Sequence, residues 1–157
     1  MRVCKRALSR FVRRALVMGC CAGVSVLAAA EEPAGLVKVA SGAVRIERAG
    51  TELPVTPGTP VEAADVVITG ADGRCGITFR DNSLLSLGPD SRLVVERFQF
   101  DSTTHEGGFD SLLQQGRLAV VSGKLAKHGK DQMKVRTPSS ILGVRGTEFV
   151  VEAAARP

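Results

Sequence analysis

From residue 36 onward, short runs of β-branched and aliphatic residues are cut by turn residues at intervals of about ten. Leu36-Val37-Lys38-Val39-Ala40 stops at Ser41-Gly42, and Ala43-Val44-Arg45-Ile46-Glu47-Arg48 alternates up to Ala49-Gly50-Thr51. Thr56-Pro57-Gly58-Thr59-Pro60 predicts a turn, because two prolines exclude a central strand. Further strands are predicted over residues 65–69, 74–80, 84–87, 92–100, 117–121, 133–137 and 147–152. Alternation puts Cys75, Ile77 and Phe79 on one face. Residues 110–115 have some helical propensity, but Gly116 and the apolar run after it predict strands on both sides of a turn. Residues 101–108 predict a polar loop and 122–132 a basic one. No stretch of eleven residues keeps helical periodicity beyond residue 30, so the class is all-β. The spacing leaves two architectures open: a compact β-helix or solenoid, and a jelly-roll-like sandwich of short strands.

The first thirty residues follow different rules. Arg2, Lys5, Arg6, Arg10, Arg13 and Arg14 precede an uncharged stretch, residues 15–30, that closes on Ala28-Ala29-Ala30. A basic start, an apolar helical run and small residues before the cut are the parts of an export signal. Cleavage is expected between Ala30 and Glu31, with small side chains at Ala28 and Ala30 fitting the peptidase. Three alternatives stay open. An uncleaved inner-membrane anchor would need roughly 20 apolar residues against 16 here, with Gly19 and Gly23 inside them. A lipoprotein signal would end at Cys20, and twin-arginine export would use Arg13-Arg14. The expected division is a signal peptide at 1–30, a linker at 31–36, a domain at 37–152 and a tail at 153–157.

Removing the signal changes the charge picture. It takes six of 21 basic residues and none of the 16 acidic ones, leaving fifteen against sixteen. The pI of about 9.4 therefore belongs mostly to the leader and gives no ground for nucleic-acid binding. It also takes three of the four cysteines, so Cys75 has no partner for an internal disulfide and is expected to be a small buried apolar residue.

The segment Thr137-Pro138-Ser139-Ser140-Ile141-Leu142-Gly143-Val144-Arg145-Gly146-Thr147-Glu148-Phe149 resembles the closing motif of the FecR-type domain, the periplasmic module named for the ferric-citrate regulator. Three other segments resemble that family in the same order: Ser41-Gly42-Ala43-Val44, Cys75 through Ser83, and Leu113-Gln114-Gln115-Gly116-Arg117-Leu118. Asn82 stands where the family has glycine, and Ser140 where it often has alanine or glycine. The resemblance implies an export-side all-β domain that senses or binds. In full regulators of the family, an anti-sigma segment and a spanning helix precede the domain, and a receptor's signalling domain contacts it. Neither segment precedes it here, so the expectation is a standalone exported form. Thr137, Pro138, Val144, Arg145, Gly146, Thr147 and Phe149 are expected to be structural, with Arg145 pinned by its five donors to carbonyls or a carboxylate.

Candidate chemistry is sparse. His105 and His128 lack metal-ligand spacing, and nucleophile-elbow, phosphate-loop and dinucleotide fingerprints are missing. Glu96, Asp101, Asp110 and Glu148 are read as solvated. The expectation is a non-enzyme without cofactor or metal, located in the periplasm, with an envelope protein as partner and no lasting membrane span. The alternative is a cell-wall or glycan-binding scaffold, which the absence of Trp and Tyr disfavours.

Overall fold

The structure, a computed structural model, describes residues 32–128 and 131–154, except the side chain of His128. The residues around the expected cleavage site, Ala28, Ala30 and Glu31, lie outside that range. Twelve strands follow in order: β1 (Gly35–Ser41), β2 (Val44–Arg48), β3 (Thr51–Pro54), β4 (Pro60–Val61), β5 (Val66–Thr69), β6 (Arg74–Phe79), β7 (Leu84–Leu87), β8 (Arg92–Phe100), β9 (Gly107–Val121), β10 (Met133–Arg136), β11 (Ile141–Gly143) and β12 (Glu148–Ala153). One helical turn, α1 (Leu125–His128), separates β9 from β10. The protein is all-β. β1 begins inside the segment read as a linker, with Ala34 already buried.

The strands form one curled sheet that folds into two layers. The first layer runs β4-β1-β6-β7-β9-β12, and the second runs β3-β2-β5-β8-β9-β10-β11. β9 belongs to both. Its first part pairs with β8 and, in parallel, with β10, and its last part pairs with β7 and β12. Every other pairing is antiparallel. Stacked coils of a solenoid pair in parallel, so the architecture is instead a curled, almost wholly antiparallel sheet, a half-barrel whose two layers face each other as in a sandwich.

Alternation explains the core. Cys75, Ile77 and Phe79 of β6, Leu85 and Leu87 of β7, and Leu93 and Val95 of β8 point inward in one buried cluster with Ile46, Val67, Phe109, Leu113 and Leu118. Phe79 of the first layer meets Phe109 of the second in a tilted contact, 4.5 Å between ring centroids, and Phe98 completes the group at 5.4 Å from each.

The two strands expected around Gly116 are one strand of 15 residues. Gly116 takes φ +89°, a conformation glycine adopts without a Cβ penalty, and there β9 passes from one layer to the other. The segment read as a basic loop also differs, because Leu125 and Ala126 of α1 are fully buried. Pro60 opens the short edge strand β4, a place that costs no ladder bond.

A buried carboxylate fixes the second layer's end. Asp65 accepts two bonds from the Arg48 guanidinium, both 2.7 Å, and one from the Glu62 N–H at 2.8 Å. The bond to Asp65 raises the Arg48 pKa above its ordinary value. A fork on a carboxylate satisfies both groups, as burial of Asp65 requires.

Candidate contact surface

The motif residues hold turns. In the β6–β7 hairpin, Asn82 sits at φ +67°, the left-handed conformation that Asn tolerates. Asp81, fully buried, accepts from the Ser83 N–H at 3.0 Å and the Ser83 hydroxyl at 2.6 Å. The Gly123 N–H then donates to Ser83 Oγ at 2.9 Å, and the Lys124 N–H to the Asp81 carbonyl at 2.7 Å. This hairpin end therefore anchors the start of α1. A side chain at Gly123 would stand 2.3 Å from the Asp81 carbonyl oxygen, which explains why glycine is there.

The closing motif is built differently from expectation. Thr137 and Ser140 close a turn after β10, with the Thr137 N–H on the Ser140 carbonyl at 2.8 Å and the Ser140 N–H on Thr137 Oγ1 at 3.0 Å. Pro138 is exposed on that turn. Val144 is buried, and its N–H donates to the Met133 carbonyl at 2.9 Å. Phe149 packs, half-buried, against the core. Arg145, Gly146 and Thr147 are exposed between β11 and β12. Arg145 makes no hydrogen bond or ion pair with a described residue, so the expected pinning fork is absent. Val144 holds the segment down, and the next residue faces water.

The outer faces of the two layers contrast. On the second, oppositely charged side chains meet across the strands: Arg45 with Glu52 at 3.1 Å, Arg92 with Glu47 at 3.1 Å, Arg97 with Asp110 at 2.8 Å, and Arg136 with Glu96. Exposed pairs of this kind add little stability singly, but together they keep the face wet. Glu96 and Asp110, read as simply solvated, are thus paired. Asp101 instead caps its own loop, accepting from the Thr103 and Thr104 N–H groups, which lower its pKa.

The first layer's outer face gathers exposed apolar side chains, with one ion pair, Arg117 with Glu152, at its margin. Strand register aligns Leu36, Thr78, Leu84, Val121 and Glu148 in one row, and Val39, Gly76, Ser86, Ala119 and Val150 in the next. Five of the six large hydrophobic residues exposed among the described residues are in these two rows, so the exposure is concentrated. A shallow groove of about 480 Å3 crosses it, lined by Val39, Gly76, Ser86, Ala119, Arg74 and Arg117 among others. Sequence reasoning missed this face, although a signal was present. Leu36-Val37, Leu84-Leu85, Val120-Val121 and Phe149-Val150-Val151 are consecutive apolar residues, the pattern of strands covered on both sides.

Cys75 lies under the groove on the core side, 2 % exposed. Burial pushes its thiol up to about 11 from an ordinary 9.0. A thiol so shifted binds its proton more tightly folded than unfolded, so stability falls as pH rises from about 9 to about 11, by up to ~2–3 kcal/mol. Urea titrations across that range should show the fall in wild type and its loss in Cys75→Ala; an equal fall in both would refute the assignment. His105 stacks on Phe100 with centroids 6.0 Å apart. Among the described residues no three His, Cys, Asp or Glu side chains gather as metal ligands, and no helix is long and apolar enough to cross a membrane.

A family model described as "FecR protein" matches residues 65–157. No curated protein matches the chain. A solved structure titled "Cell surface anchoring domain" is similar at 27% identity and a TM-score of 0.38, covering 39% of this chain and 82% of that one.

Proposed function

This chain belongs to the FecR family, and from that membership and its one-sided apolar surface we propose a non-enzymatic binding or sensory module of the bacterial envelope. It is exported to the periplasm, its signal is cut between Ala30 and Glu31, and it acts by protein contact through the first layer's outer face. The concentration of exposed apolar side chains on that face, against the ion pairs opposite, carries the reading. Contiguous apolar surface of this kind marks interaction sites in soluble proteins.

Two further features favour contact over catalysis or sugar binding. Among the described residues, the buried side chains of Asp65, Asp81, Ser83, Ser91 and Thr69 hold backbone or turn partners, and the buried Ser111 hydroxyl, which has no hydrogen-bond partner, has no base beside it to activate it. Phe79, Phe98 and Phe109 are turned into the core, so the face has no aromatic platform for glycan.

The test is photocrosslinking in cells. A photoreactive phenylalanine analogue in place of Ser86, at the centre of the face, should give a defined adduct with an envelope protein, while the analogue at Gln114, beside Arg92 on the charged layer, should not. Equal adducts at both positions, or none at Ser86, would overturn the reading.

A further inference from the structure

The sheet has four margins, and three are blunted. β4 is two residues long and begins with proline, β3 ends in Pro54, and β11 is three residues long. Shortness and proline are the usual protections of a sheet edge. β12 has six residues and neither proline nor lysine, and its register runs unbroken from Glu148↔Val121 to Ala153↔Gly116. Among the described residues it pairs with β9 alone.

The ladder shows which backbone groups are left over. The Ser122 N–H donates to the Thr147 carbonyl at 3.2 Å, which makes 147 and 122 a hydrogen-bonded pair. Alternation then assigns the backbone groups of Phe149, Val151 and Ala153 to β9. Those of Glu148, Val150 and Glu152 face the open side. The same three residues put their side chains on the outer face: a carboxylate, a valine that is 64% exposed, and a second carboxylate. Glu152 also meets Arg117 at 3.3 Å, an exposed pair that an incoming cation can replace.

We propose that the β12 edge takes an extended segment of a partner protein as an added antiparallel strand, one that carries Lys or Arg two residues either side of an apolar residue. This rests on the contact reading above and narrows it from a face to an edge. Backbone bonds supply the attraction, and the opposed pairs at Glu148, Val150 and Glu152 select the sequence. The added strand also extends the apolar row through Ala119, Ser86, Gly76 and Val39. A second copy of this chain fits poorly. The symmetric register centred on Val150 sets Glu148 of each chain against Glu152 of the other, and like charges directly opposite repel.

The probe is an end-blocked peptide, Thr-Lys-Thr-Val-Thr-Lys-Thr, beside its counterpart with Glu for Lys. Fluorescence anisotropy should show saturable binding of the Lys peptide only, and amide exchange should slow at Glu148, Val150 and Glu152. Val150→Pro removes an open-side donor and no bond to β9, so binding should weaken at least about tenfold with the melting temperature kept. The double variant Glu148→Lys, Glu152→Lys should reverse the peptide preference, and it decides the matter alone should Val150→Pro not fold. No binding of the Lys peptide, equal binding of both peptides, or unweakened binding to folded Val150→Pro would overturn the proposal. So would a wild-type dimer that Val150→Pro abolishes, which would assign the edge to a second copy. If the peptide fails while the Ser86 crosslink forms, the edge is wrong and the contact reading stands.

Discussion

Gly116→Ala is expected to cost about 2–5 kcal/mol of folding stability, because two independent penalties meet at one atom. The first is conformational: at φ +89° any side chain is strained. The second is steric. A Cβ there would stand 2.2 Å from Ser91 Oγ and 2.5 Å from Ser91 Cα, and Ser91 cannot retreat freely. Its hydroxyl accepts from the Arg117 N–H at 3.0 Å, and its own N–H donates to Thr69 Oγ1 at 2.9 Å. Gly146→Ala provides the comparison. Gly146 also has positive φ, +60°, but nothing stands within 4 Å of its would-be Cβ, so only the conformational cost of about 1 kcal/mol remains. Urea midpoints of the two variants should therefore differ clearly; equal losses would show that the contact with Ser91 does not matter.

Phe109→Ala is expected to cost about 3–5 kcal/mol. The ring is fully buried and touches Phe79 across the layers and Phe98 beside it, so its removal leaves a cavity that two layers held in register cannot close. Phe149→Ala, at a half-buried ring on the rim of the core, should cost markedly less. Thermal unfolding of both would decide, and a Phe149 variant as damaged as the Phe109 one would mean that the aromatic group does not join the layers.

Much of the fold was legible because its information is local. Alternation at Cys75, Ile77 and Phe79 names a face without reference to any partner, and the Asp81-Asn82-Ser83 turn follows from what Asn can adopt. The choice between sandwich and solenoid was not legible, because pairing is a relation between distant segments and period-two patterns are the same in both. Residues 122–132 show the same limit. Their lysines gave the appearance of a solvated loop, while the feature that decides their structure is Gly123 closing against a turn forty residues earlier. The candidate surface was hidden for a related reason. A valine on the outer face looks in sequence like one more core residue, and only register shows that Leu84, Val121 and Val150 gather on the wet side. Arg145 departs from its expected role because it lies one residue past the last buried side chain of the turn, where its donors meet water.

The shared strand β9 has a consequence for how the chain comes to be folded. A polypeptide made from its N-terminus presents β1 to β8 first, as two incomplete layers whose strands β7 and β8 wait for the same neighbour. That neighbour, residues 107–121, also receives β10 and β12. No stable intermediate can form from the first hundred residues with both layers joined, because the joining element has not arrived. Such late, long-range closure makes folding slow. Until residues 107–121 are present, the margins of β7 and β8 that pair with β9 stay bare, and unpaired margins of this kind are where a partly made chain is prone to aggregate.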